Sequence, residues 1–272
     1  MSKAWKDKTI LITGAGSGIG KALAELLAKQ EAKLILTDIN EGNLRSTCET
    51  LKNNLSLSMV ADVSKKADWQ ALSVKIQASI GYLDVLVNNA GMSSFGYFDE
   101  LSESLFNKVM EVNFNGVVLG CREMMPLLEQ SRHGLIVNVA SIFALITMPM
   151  MTPYHASKFA VKGFTEALRQ DLAFTKKNID IICVMPGGIK TNIANYAEVE
   201  GGKENKFSAH FNTMAKTSPE MAAKVIEKGM RKKTFRVLIG ADAKFACMLN
   251  RILPISYYKV SNAFMGVNKV IG

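Results

Sequence analysis

One stretch constrains the fold of this chain more than any other. Thr13-Gly14-Ala15-Gly16-Ser17-Gly18-Ile19-Gly20 follows the apolar run Thr9–Thr13 without a spacer and opens an amphipathic run, Ile19–Gln30. In the second run Ile19, Ala22, Leu23, Leu26 and Leu27 recur at the spacing of one helix face. A strand is therefore expected to turn through glycines directly into a helix. Glycine lets the backbone turn sharply and come close to a ligand. The helix N-terminus then offers free N–H groups and a positive dipole end to phosphates. Gly14, Ser17, Gly18, Ile19 and Gly20 are the candidate contacts. No Lys-Ser or Lys-Thr pair follows, so a nucleotide-hydrolysing loop is excluded.

The same alternation continues along the chain. Lys33–Thr37, Leu83–Val87, Gly134–Val139 and Ile179–Val184 read as strands buried on both faces, with weaker strands at Leu57–Val60 and Phe235–Ile239. Helical patterns separate them at Ala67–Ile80, Ser102–Leu128 and Tyr154–Phe174. Strands alternating with helices imply a parallel sheet covered on both sides, and right-handed crossovers make it an α/β doubly wound Rossmann-type fold. No repeat, linker or break divides the chain, so residues 1–272 are expected to form a single domain. Residues 135–157 lack charge over a length that could span a membrane. They also contain Asn138, Pro149, Pro153 and His155, which fit a strand, a loop and a helix start better.

Polar residues sit where the strands end. Asp38 closes the second strand, and a carboxylate there can accept hydrogen bonds from a ribose 2′-hydroxyl while repelling a 2′-phosphate. It would serve equally as a strand-end turn residue, and Lys21 or Arg45 would soften the discrimination. Asp62-Val63 could meet an adenine amine. Asn88-Asn89-Ala90-Gly91 could fix a loop close to a ligand. Tyr154 and Lys158 are four residues apart, one turn of a helix whose first turn Pro153 suits. A nearby ammonium is expected to lower the phenol's pKa and make Tyr154 a general acid/base. Alone, such a pair reads better as a surface pair. Ser141 could orient a substrate oxygen, and Asn113, a polar amide among apolar neighbours, needs partners such as a water bridging to Lys158.

Taken together, Thr13-Gly14-x-x-x-Gly18-Ile19-Gly20, Asn88-Asn89-Ala90-Gly91, Asn113, Ser141, Tyr154-x-x-x-Lys158 and Pro186-Gly187-x-x-x-Thr191 resemble the motifs of the short-chain dehydrogenase/reductase family, in order and spacing, over about residues 7–195. The resemblance implies that Asn113, Ser141, Tyr154 and Lys158 form a catalytic tetrad. It implies that Lys158 also bonds a nicotinamide ribose, and that Pro186, Gly187, Ile189 and Thr191 hold the nicotinamide end. The expected activity is hydride transfer between the nicotinamide and a secondary alcohol or ketone, with NAD favoured over NADP because of Asp38. Family members commonly form dimers or tetramers through their long central helices, here Ser102–Leu128 and Tyr154–Phe174.

The substrate is expected to be apolar and bulky, because Ile142, Phe143, Ala144, Leu145, Ile146, Met148, Met150 and Met151 lie near Ser141 and Tyr154. Core packing is the alternative for those side chains. Residues 190–215 read as a substrate lid. His155 is expected to face away from the Tyr154/Lys158 side, and neither His133 nor His210 has metal-like spacing. The four cysteines, Cys48, Cys121, Cys183 and Cys247, form no CxxC pair and fit reduced thiols in a cytoplasmic setting. Met1–Lys8 holds no apolar run, so no secretory signal is expected there.

The net charge of +9 is local. Residues 1–200 hold 20 basic and 20 acidic side chains, while residues 201–272 hold 13 and 4. The extension of about 216–272 mixes these cations with Phe, Met, Leu and Tyr, a composition that could lie on an anionic membrane. A helical cap or a subunit contact would use the same residues. No zinc-finger spacing or other nucleic-acid signature accompanies the charge. A cofactor-binding regulator or scaffold, docking partners or membrane through the basic segment, is the rival to an enzyme.

Overall fold

The structure is a computed structural model describing residues 4–51, 53–200, 213 and 215–264. Nine strands form in chain order: β1 (Thr9–Thr13), β2 (Lys33–Asp38), β3 (Leu55–Val60), β4 (Val85–Asn88), β5 (Ser94–Phe95), β6 (Gly134–Val139), β7 (Ile179–Pro186), β8 (Glu198–Val199) and β9 (Arg236–Ile239). Seven of them make one parallel sheet in the order β3-β2-β1-β4-β6-β7-β9, and β5 pairs with β8 in a separate parallel ladder. The helices are α1 (Gly18–Ala28), α2 (Glu41–Thr50), α3 (Lys66–Ser79), α4 (Glu103–Met110), α5 (Gly116–Glu129), α6 (Thr152–Phe174), α7 (Pro219–Lys232), α8 (Ala241–Ile252) and α9 (Tyr257–Phe264).

Alternate side chains of the strands feed two cores. Ile10, Ile12, Leu34 and Leu36 pack with Leu23 and Leu27 of α1 and Ile226 and Met230 of α7. Leu11 and Ile35 point the other way, onto Trp69 and Leu72 of α3, Met124 of α5 and Val161 of α6. This two-sided burial explains why β1, β2, β4, β6 and β7 read as nearly continuous apolar runs. β3 is an edge strand and alternates between half-buried and exposed residues, so its signal was the faintest.

The structure adds β5, β8, α8 and α9, which the sequence reading did not expect, and departs from it at two further places. α2 had no apolar stripe to announce it; it is held at its start by Asn40, whose Oδ1 accepts the Asn43 N–H at 2.9 Å. The expected single helix over Ser102–Leu128 is interrupted by one π turn, Glu111–Asn115, between α4 and α5. Such turns widen a helix by one residue and are frequent at functional sites. Here the turn carries Asn113.

The charge-free stretch 135–157 divides into β6, a 3-10 turn (Ile142–Ala144) and the start of α6. Among the described residues no helix is long and apolar enough to cross a membrane. Half of the expected lid, 201–212 and 214, and with it His210, lies outside the described residues. The part of the lid region that is described includes β8.

Candidate active site

A cavity of about 1180 Å³ opens at the carboxyl ends of the strands, beside the β1/β4 boundary where the strand order reverses. One end is built on the glycine turn and the start of α1. Gly14 (φ +62°) and Gly18 (φ +51°) adopt left-handed conformations that a side chain resists. Ser17, Gly18 and Ile19 line the cavity as α1 begins. That helix has no side-chain cap from Ser17 and no acidic residue in its first turn, so its free N–H groups face an anion-ready space. Gly20 does not line the cavity. A Cβ there would overlap the Gly14 carbonyl, so this glycine allows the helix to seat against the turn.

Asp38 lines the cavity and also braces it. Its carboxylate accepts the Gly16 N–H and the Asn40 N–H, both at 2.9 Å. Asp62, Val63, Asn89, Ala90 and Gly91 line the same end. Thr13, which the sequence reading passed over as a contact residue, ties these loops together. Its hydroxyl donates to the Val87 carbonyl at 3.3 Å and accepts the N–H groups of Asn89 and Ala90 at 3.0 Å. Asn89 Nδ2 returns to the Thr13 carbonyl at 2.9 Å.

Tyr154 and Lys158 project from α6 into the middle of the cavity, next to Ser141 at the end of β6. All three are buried. Lys158 Nζ lies 5.6 Å from the Tyr154 ring centroid and donates to the Val139 carbonyl at 3.1 Å. Ser141 Oγ accepts the Phe143 N–H at 3.1 Å and shares a hydrogen bond with the Tyr154 hydroxyl. Burial pushes the Tyr154 phenol up to about 12, against the opposing effect of that Ser141 hydrogen bond. In the protein alone the direction is thus opposite to the lowering expected from a nearby ammonium, and its cause is burial. Burial also pushes the Lys158 ammonium down to about 8.

Asn113 stands behind the cavity wall. Its Oδ1 accepts the Met92 N–H at 2.8 Å, and its Nδ2 donates to the Met92 carbonyl and to Ser157 Oγ, both at 3.0 Å. Ser157 donates onward to the Tyr154 carbonyl at 2.8 Å, so the π turn is pinned to α6 at the level of Tyr154. A Cβ on Gly91 would come within 3.1 Å of Asn113 Oδ1 and 3.5 Å of Lys158 Nζ. The glycine therefore leaves a small space between those two polar groups.

His155 stays out of the cavity. Its Nε2 accepts the Met148 N–H at 3.0 Å, which leaves Nδ1 to donate to the Phe143 carbonyl at 3.3 Å. It fastens the 143–148 loop to α6. Burial drives its pKa down to about 4, against the two backbone bonds, which raise it. His133 pairs with Asp180 at 2.6 Å, outside the cavity.

The far end of the cavity differs from the expected pocket. Of the eight apolar residues proposed for it, only Ile142, Phe143 and Ile146 line the cavity; the others are buried in the core. Further wall comes from Ile193 and Tyr196 and from the C-terminal helices, through Phe245, Ala246, Leu249 and Ser261, with Lys108 and Glu198 also in the lining. Asn250 Nδ2 donates to the Leu145 carbonyl at 2.8 Å, and the Tyr257 hydroxyl bonds Thr147 Oγ1 at 2.9 Å and accepts the Thr147 N–H at 3.2 Å. Pro186, Gly187, Ile189 and Thr191 line the neighbouring wall. Asp242, at the start of α8, accepts the Gly188 N–H at 2.6 Å and holds that loop. Nothing local in the sequence marked Asp242 or the C-terminal wall.

The family model described as short chain dehydrogenase matches residues 8–200. The chain belongs to the short chain dehydrogenase family. SadH of Mycobacterium tuberculosis, named an oxidoreductase, is 38% identical over 262 residues, which cover 94% of this chain and 95% of SadH. A protein of Lactiplantibacillus plantarum named CLA biosynthesis dehydrogenase/reductase is 36% identical over 194 residues, 70% of this chain and 68% of its own. Among solved structures, a short-chain dehydrogenase/reductase from Burkholderia phymatum in complex with NAD superposes with a TM-score of 0.83 at 31% identity, covering 91% of this chain and 94% of that one. As a family member the chain is an oxidoreductase with the fold its sequence pattern implied.

Proposed function

We propose that this short chain dehydrogenase moves a hydride between NAD and a secondary alcohol or ketone of apolar, bulky character. The observation that carries the reading is the convergence of Tyr154, Lys158 and Ser141 in the middle of a cavity whose one end is a glycine-lined helix start and whose other end is apolar. The residues present fit a dinucleotide. Positive-φ glycines clear space for the pyrophosphate, the uncapped α1 start offers N–H groups, and Asp38 keeps lone pairs for a ribose hydroxyl beyond its two backbone bonds. Neither Lys21 nor Arg45 lines the cavity, and Arg45 pairs with Glu49 at 3.7 Å. Among the described residues no cation at that end therefore offsets the repulsion between Asp38 and a 2′-phosphate, which favours NAD over NADP. The Burkholderia relative, solved with NAD, supports the same assignment.

When bound, the nicotinamide supplies the hydride acceptor or donor. The chain's own groups handle the proton. Tyr154 takes it from the alcohol, or returns it to the carbonyl oxygen, at its hydroxyl. Ser141 holds the substrate oxygen within reach of that hydroxyl. Lys158, anchored on the Val139 carbonyl, would bond the nicotinamide ribose and add positive potential that favours the phenolate. Asn113 and Ser157 fix the turn of α6 from which Tyr154 projects. Pro186, Gly187, Ile189 and Thr191 would hold the nicotinamide end. Assembly as a homodimer or homotetramer through α5 and α6, where Phe159 is exposed, and residence in the cytoplasm complete the proposal.

The test is a panel of apolar ketones and secondary alcohols followed by NADH absorbance, run with NAD(H) and NADP(H). Turnover with bulky members and a preference for NAD(H) is expected. NADH binding with no turnover across the panel would shift the assignment to a cofactor-binding regulator.

A further inference from the structure

α8 has two faces with opposite tasks. Phe245, Ala246 and Leu249 face inward and line the cavity. Lys244, Met248, Arg251 and Ile252 follow the i, i+4, i+7, i+8 spacing of the opposite face, and all four are exposed. The apolar exposure is heavy and continues through the turn into α9: Met248 is 53% exposed, Ile252 66%, Ile255 86% and Tyr258 48%. None of these four lines the cavity. Soluble surfaces seldom cluster large apolar side chains this way without a partner.

The charges around this ridge select the partner. Residues 241–264 carry three cations, Lys244, Arg251 and Lys259, and a single carboxylate, Asp242. Asp242 is turned inward onto Gly188. Among the described residues none of the three cations forms an ion pair, and all three are exposed. A second copy of the chain would bring the same cations against each other across a symmetric contact. Apolar side chains edged by unpaired cations match the headgroup boundary of an anionic bilayer, where the former enter the acyl region and the latter meet phosphates. We infer that the outer face of α8 and α9 docks on an anionic lipid surface. On the apolar-substrate reading above, docking also brings the substrate wall formed by the same two helices to the membrane that holds such molecules.

The experiment is vesicle sedimentation of the full chain, without substrate, on phosphatidylcholine vesicles and on vesicles containing phosphatidylglycerol. The wild type is expected to pellet with the anionic vesicles, to stay in solution with the neutral ones, and to be released as salt rises. The double variant Ile252→Asp/Ile255→Asp is expected to lower the partition coefficient by about tenfold or more, with an unchanged melting midpoint. The triple reversal Lys244→Glu/Arg251→Glu/Lys259→Glu reads the same surface through charge alone and is expected to abolish the preference for anionic vesicles. A wild type that ignores both vesicles overturns the proposal, as does either variant binding like the wild type. If wild type ignores vesicles and the double variant dissociates in analytical ultracentrifugation, the face is a subunit contact. Because no substrate is present, these outcomes are independent of the turnover screen.

Discussion

The end of the cavity assigned to the cofactor is lined by the turns that follow β1 to β4, residues 14–91, whereas the substrate end is walled by Ile142, Phe143, Ile146, Ile193 and the C-terminal helices. The first end needs glycines, positive φ and a helix start, all of which leave local traces in a sequence. The second needs shape complementarity between segments about a hundred residues apart, such as Asn250 on Leu145 and Tyr257 on Thr147. One end is therefore intolerant of added atoms, and the other is adjustable by changing side chains. The contrast also suggests where relatives with different substrates are free to diverge.

The largest expected effect lies at the seam between the two ends. Tyr154→Phe should lower turnover by about 10²- to 10⁴-fold, while fluorescence titration shows nearly unchanged NADH affinity. Retained turnover would remove Tyr154 from the chemistry. Next is a pH effect at the substrate end. His155 is neutral in the fold, with its pKa near 4 against an ordinary 6.5. The unfolded chain therefore binds a proton that the folded chain refuses, and stability falls as pH drops from about 6.5 towards 4. The loss should approach about 3 kcal/mol in denaturant titrations and be absent in His155→Gln.

At the cofactor end, Gly20→Ala drives a Cβ against the Gly14 carbonyl and to 2.7 Å from Asn89 Nδ2. It should cost about 2 kcal/mol of stability and weaken NADH binding with it. Tyr257→Phe removes the hydroxyl that bonds Thr147 and should raise substrate KM severalfold, about 1 kcal/mol, with NADH affinity unmoved. Equal losses for both ligands would show that the two ends are not separable. Smallest is a control within α6: a Cβ on Gly163 meets nothing within 4 Å. Gly163→Ala should stabilise the fold by about 0.7 kcal/mol and change neither ligand.

The same contrast explains what could be read before the structure. β1 and β6 were placed to the residue, because strands buried on both faces are written as unbroken apolar runs. α2 escaped because a polar surface helix held by a cap leaves no periodic stripe. The π turn escaped because one extra residue in a helix barely disturbs an apolar pattern, although Asn113 stood out as a buried amide in need of partners. At the cofactor end the expected residues line the cavity, except that Gly20 acts from behind it. At the substrate end Met148, Met150 and Met151 belong to the core. Composition shows that a methionine is apolar, and only the path of the chain shows what it faces. Asp242 and Tyr257 act through tertiary contacts that no local signal could announce.

The Thr13 hydroxyl has a consequence for the order in which this molecule is made. It joins the glycine turn to the Val87 carbonyl and to the amides of Asn89 and Ala90, more than seventy residues further along. During synthesis the first turn therefore emerges unfinished. It acquires its final shape only after residue 90 has left the ribosome and β4 has slotted in beside β1. A nascent chain stalled before that point would hold every glycine of the motif and still lack the surface those glycines are there to form.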